Sequence, residues 1–197
     1  VNKPPARLWL PLAFLAAIAL GFLLLQMLPP AEPERTGGEA QIGGAFELID
    51  TTGTQRKASD FRGQYMLLFF GYTFCPDVCP VTLQTVSRAM EKLGAKGKKV
   101  TPIFITLDPE RDSVEIMRAY IGNFHPRFVG LTGTPEQIAK AAKAYHVYYA
   151  KAGEGEDYLV DHSSILFFMG PDGKFQTHFS HGATAEKIAG EISRRID

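Results

Sequence analysis

The stretch Met66-Leu67-Leu68-Phe69-Phe70-Gly71-Tyr72-Thr73-Phe74-Cys75-Pro76-Asp77-Val78-Cys79-Pro80 decides how this chain folds. Its first five residues form a continuous apolar run, the pattern of a strand buried on both faces. Val81 to Leu93 reads as a helix. The turn between them holds both cysteines of the protein, at the end of a strand where open α/β folds collect ligands and chemistry. Cys75 and Cys79 are spaced i, i+4. In helical or near-helical backbone that spacing shares one face, so both sulfurs can point at one metal ion or at each other. Pro80 suits the first turn of a helix and makes Cys79 the predicted N-cap. A helix N-terminus favours the thiolate, the form that ligates metals and attacks disulfides. The bland alternative is two inert structural cysteines or one structural disulfide, which leaves the proline-flanked loop unexplained.

Outward from this turn, Ala45 to Ile49 alternates like a short strand, and Tyr65 to Phe70 is the buried one. Gly94 and Gly97 end the helix. Val100 to Leu107 reads as a strand whose first half Pro102 weakens. Asp108-Pro109-Glu110-Arg111-Asp112 is a loop, with Asp112 and Glu115 predicted to start a helix in the manner of a capping box. Asp108 and Asp112 therefore read as loop-shaping and capping residues. Phe128 to Leu131 is a short strand. Thr134-Pro135-Glu136-Gln137 is a helix start, and Val147 to Ala150 is a further strand. Ser163 to Met169 is a buried strand that Pro171-Asp172-Gly173 turns back into Lys174 to Phe179. Ala185 to Ile196 closes the chain as an amphipathic helix. This alternation predicts an α/β domain with a mixed sheet flanked by helices.

The charges balance, 21 basic against 21 acidic residues, so the chain lacks the electrostatic footprint of a nucleic-acid binder. Leu8 to Leu28 is 21 residues without a charge. As a helix it spans roughly 30 Å, the thickness of a bilayer core. It outlasts a signal-peptide core and ends in Pro29-Pro30 rather than small residues, which predicts an uncleaved transmembrane anchor. Lys3 and Arg7 before it put residues 1–7 in the cytoplasm by the positive-inside rule. Residues 29–44 form a Pro/Gly-rich linker, and 45–197 a folded domain on the far side. That side is the periplasm of a bacterial inner membrane or, in a eukaryote, the corresponding side of the mitochondrial inner membrane. Free thiols there tend to be oxidised, unless a metal or a reductant holds them.

Of the five histidines, His125 precedes a proline, His146 ends a helix, and His178 and His181 belong to the returning strand and the loop after it. His162 stands between Asp161 and Ser163 at the start of the apolar run 163–169. Asp161 is placed to accept its ring N–H, as carboxylates do for metal-bound imidazoles. Periodicity does not show which way residue 162 faces.

Gly71 to Pro80, followed by Thr106-Leu107-Asp108-Pro109-Glu110-Arg111-Asp112 and then Asp161-His162-Ser163-Ser164, resembles the Sco/SenC family of cytochrome oxidase assembly proteins. Order and spacing agree from about 45 to 196. The resemblance implies a thioredoxin-like fold binding copper, Cu(I) or Cu(II), through Cys75, Cys79 and His162. It also implies delivery to the CuA-bearing subunit of cytochrome c oxidase, with another copper donor or a thiol reductant as a further partner. Soft thiolates independently suit Cu(I), and imidazole suits either oxidation state. The competing reading is a thiol–disulfide reductase in which Cys75 and Cys79 keep a partner's cysteines reduced for metal insertion. A thiol peroxidase activated by Thr73, and a purely structural assembly factor, are the remaining alternatives.

Overall fold

The computed structural model describes residues 42–196; the predicted cytoplasmic segment 1–7, anchor 8–28 and most of the linker 29–44 lie outside the described residues. In chain order the strands are β1 (Glu47–Asp50), β2 (Gln55–Lys57), β3 (Tyr65–Gly71), β4 (Val100–Thr106), β5 (Val129–Thr132), β6 (Tyr149–Ala152), β7 (Leu159–His162), β8 (Ile165–Met169) and β9 (Phe175–Ser180). The helices are α1 (Val78–Leu93), α2 (Val114–Ile121), α3 (Pro135–Ala144) and α4 (Ala185–Arg195).

Seven strands form one mixed sheet in the order β2-β1-β5-β4-β3-β8-β9. β3 lies inside it, parallel to β4 and antiparallel to β8. Being covered on both faces, it needs apolar residues at every position, and Met66 to Phe70 are all buried. Each such side chain contributes roughly 1.5–3 kcal/mol relative to exposure. α1 packs against α4, α2 against β5 and α3 against β1.

Pro102 does not shorten β4. The β5 pairing begins only at Ile103, so the missing N–H at Pro102 falls before that ladder starts. The α3 start is as expected: Thr134 accepts from the Gln137 amide, Gln137 accepts from the Thr134 amide, and Pro135 fills the first turn. The 171–173 turn also forms, with Gly173 at φ 73°, and joins β8 to β9.

Three expectations are corrected, and one strand is added. α1 begins at Val78, and its N-cap is Asp77 rather than Cys79. Cys79 is the second helical residue, since Pro80 is tolerated anywhere in the first turn, where no intrahelical N–H bond is lost. The cap of α2 is Ser113, whose Oγ accepts from the Ile116 amide at 3.3 Å, and not Asp112. β2, too short and polar to read as a strand, pairs with β1. Finally, His162 does not open the strand of the main sheet. It is the last residue of β7, which pairs with β6 in a separate two-stranded sheet.

Candidate metal centre

The turn after β3 and the end of β7 bring three donors together. The sulfurs of Cys75 and Cys79 and a ring nitrogen of His162 lie within 4.8 Å of one another. Both cysteines are free thiols; Cys79 is fully buried and Cys75 half-buried. Cys79 Sγ is 3.5 Å from His162 Nε2. The other ring nitrogen, Nδ1, lies 3.3 Å from the Ser163 carbonyl oxygen. A carbonyl only accepts, so Nδ1 carries the proton and Nε2 presents its lone pair to the sulfurs. Asp161, expected to fix this tautomer, is exposed on β7 opposite Ala150, and a backbone carbonyl does the work instead. The Phe69 and Tyr72 rings meet the imidazole edge-on, each with centroids 6.0 Å away.

The two thiols are not equivalent. The Cys79 thiol hydrogen bond holds the Cys75 pKa well below the usual thiol range, to about 3. Burial opposes this, and the Asp77 and Cys79 amides add to it. The Cys79 amide, one of the unpaired N–H groups at the start of α1, points at Cys75 Sγ at 3.4 Å. Cys79 itself is pushed strongly upward, first by the hydrogen bond it gives Cys75 and then by burial. The helix terminus thus favours the thiolate at Cys75, three residues before the first helical residue, and not at Cys79. Gly71 makes room for this pair: a Cβ there would come within 2.7 Å of Cys79 Sγ and 2.9 Å of the Phe104 ring.

Asp112 underlies the loop. It is fully buried, and its carboxylate accepts from the Thr73 amide at 3.0 Å and from the Thr73 and Thr106 hydroxyls at 2.5 Å each. It therefore pins the residue two before Cys75 to the end of β4. Reading Asp112 as a helix cap missed this; its signal was an acidic residue just after an apolar strand, beside a cysteine turn that needs a fixed base. Thr73 gives its hydroxyl to Asp112 and not to a cysteine, which removes the activating group of the peroxidase reading. The other four histidines do not join the cluster: His125 donates its amide to Ser87, His146 sits at φ 54°, His178 stacks on Phe175 and His181 follows β9.

A sequence model of the SCO1/SenC family matches residues 34–197. The chain belongs to the SCO1/SenC family. It is 44% identical over 163 residues to the mitochondrial SCO2 homolog of Bos taurus, covering 80% of this chain and 61% of that protein. The chain thus spans about three fifths of that relative's length. The crystal structure of Arabidopsis thaliana ScoI with copper bound superposes with a TM-score of 0.74 at 38% identity, over 78% of this chain and 96% of that one. Bradyrhizobium japonicum ScoI with copper bound gives 0.73 at 40% identity, over 78% and 98%. The fold of this SCO1/SenC chain is accordingly the mixed α/β, thioredoxin-like one.

Proposed function

We propose that this protein carries copper as cargo on Cys75, Cys79 and His162 and hands it to the CuA-bearing subunit of cytochrome c oxidase. The observation that carries the reading is the donor set: two free sulfurs from the turn after β3 and the start of α1, and an imidazole lone pair from the end of β7, converge within 4.8 Å. Thiolate and imidazole are the ligands soft Cu(I) prefers. A structural zinc site normally has four protein ligands, and three are gathered here among the described residues. A half-buried Cys75 leaves one side of the site open to an incoming ligand. The Arabidopsis and Bradyrhizobium relatives hold copper, which supports the same cargo here. The uncharged run 8–28 supports a single-pass anchor that keeps the domain on the outer side of a bacterial, or the equivalent side of a mitochondrial, inner membrane.

One observation favours the thiol–disulfide reductase as a second reading. Cys75 is held as thiolate beside a protonated, buried Cys79, the attacking and resolving pair that disulfide exchange needs. Anaerobic titration of the reduced protein with Cu(I) and Cu(II), beside His162→Ala, separates the two. The expected result is one copper per chain, with a sulfur-to-copper charge-transfer band in the Cu(II) form that His162→Ala shifts. Absence of stoichiometric copper together with a readily reversible Cys75–Cys79 disulfide would give the reductase reading precedence.

A further inference from the structure

The sheet that carries His162 has no ladder to the main sheet, whose β3 leads into the cysteine turn. β6 and β7 hydrogen-bond to each other, and the seven-stranded sheet contains neither. His162 stands three residues before β8, which pairs with β3, so this short link and side-chain contacts together set the approach of the imidazole to the two sulfurs. Among the polar contacts, Lys151 on β6 donates to Glu110 at 2.6 Å, and a second set meets at Arg111. Its guanidinium carbon stands 3.7 Å from the centroid of the Tyr158 ring, one residue before β7, and 4.7 Å from that of the Phe74 ring, the residue before Cys75. Its Nε donates to Asp108, and Nη1 donates to the Glu156 carbonyl at 3.1 Å, in the loop joining β6 to β7. Asp108 accepts the Tyr158 hydroxyl at 2.7 Å. Nη2 is buried without an acceptor, so the plane is held by its two rings rather than by a full set of hydrogen bonds. Asp108 and Asp112, one on each side of Arg111, belong to the same turn after β4; Asp112 holds Thr73 on the cysteine side.

We infer that Arg111 is a positioning residue that clamps the His162-bearing β6–β7 arm to the cysteine loop, so that the third donor reaches the site only while the guanidinium lies between Tyr158 and Phe74. The inference rests on the three-donor reading above. The place suits a planar group: a guanidinium stacks flat on aromatic faces while its edge still donates hydrogen bonds, whereas an ammonium meets a ring only as a point charge, as Lys151 does on Tyr158 at 4.4 Å. Phe74 is 50% exposed, so the ring that covers the guanidinium is open to solvent on its outer side.

The test compares wild type, Arg111→Met, Arg111→Lys, His162→Ala and the double variant Arg111→Met/His162→Ala. In the metal-free protein, amide exchange over 149–162 should accelerate in Arg111→Met while the β3–β4 ladder stays protected. With copper as the probe, Arg111→Met should weaken binding roughly tenfold to a hundredfold, the scale of losing a contact that orients a ligand. Its Cu(II) charge-transfer band should move toward that of His162→Ala, and Arg111→Lys should restore only part of the loss. The double variant should be no weaker than His162→Ala alone, because a clamp acts only through the group it positions. Wild-type affinity and exchange in a folded Arg111→Met, or losses that add in full to those of His162→Ala, would overturn the clamp. If His162→Ala itself binds copper like wild type, the three-donor reading fails; arm exchange then decides the clamp separately. Should Arg111→Met not fold, Phe74→Leu removes the half-exposed ring on the other side. It should move the band in the same direction, and no movement would overturn the proposal.

Discussion

Cys75 and Cys79 differ by four positions in sequence and by most of a proton in chemistry. Cys75 receives the Cys79 thiol and the Asp77 and Cys79 amides at the start of α1; Cys79 is buried against Gly71 and keeps its proton. The nucleophile of the reduced protein is therefore Cys75. Its folded pKa lies below that of a free thiol, so the thiolate persists as pH falls, until about 3. Iodoacetamide should label Cys75 at nearly constant rate from pH 8 down to about pH 5, where a free thiol with pKa near 8.5 loses about a thousandfold of its thiolate. Peptide mapping should find Cys79 unlabelled in the folded protein. A rate that tracks a free thiol, or equal labelling of the two, would contradict this polarisation.

At the scale of elements, buried carboxylates tie strand ends to the turns that follow them. Asp112 joins the cysteine loop to β4, and Asp50 closes the turn between β1 and β2. Asp50 accepts from the Thr52 amide at 2.8 Å, the Thr54 amide at 3.0 Å, the Thr52 hydroxyl and Arg56 Nε. Burial alone would raise its pKa; the hydrogen bonds from Thr52, then Arg56, outweigh it and bring it from 3.8 to about 2. Because the folded carboxyl is the stronger acid, its share of stability is complete above the unfolded value of 3.8 and is lost as pH falls toward about 2. Urea midpoints measured between pH 5 and pH 2 should drop more steeply in wild type than in Asp50→Asn. Parallel curves would show that Asp50 does not contribute this slope.

For the whole molecule, the proposed site joins the cysteine turn to the end of β7, which share no backbone ladder, so an ion held there would close a loop between Cys75 and His162. A ligand that binds the native state alone adds about 2.7 kcal/mol of stability at a hundred times its dissociation constant. Anaerobic Cu(I) should raise the melting temperature of the reduced protein. Cys75→Ala and His162→Ala should abolish most of the rise while leaving the metal-free melting temperature close to wild type, since both residues are only partly buried. An unchanged rise in His162→Ala would mean that the imidazole is not part of the bound state.

Much of this was legible along the chain, for a physical reason in each case. A strand covered on both faces must be apolar throughout, so Met66 to Phe70 announced β3 without its neighbours. Thr134 to Gln137 bond within four residues, and so the start of α3 needed no tertiary information. The i, i+4 spacing put the two sulfurs near one another for the same local reason. His162 could be named, but its strand could not: β7 is held by β6 and by side chains distant in sequence, and its short mixed pattern carries no period of its own. Asp112 and Arg111 were visible only as loop residues, because their partners Thr73, Phe74 and Tyr158 stand some 37 to 47 positions away. The sequence by itself determined which atoms this protein can offer to a metal. Only the tertiary structure decided which sulfur is charged, which nitrogen is bare and what holds the arm in place, since each depends on burial and hydrogen bonds between segments that the chain order keeps apart.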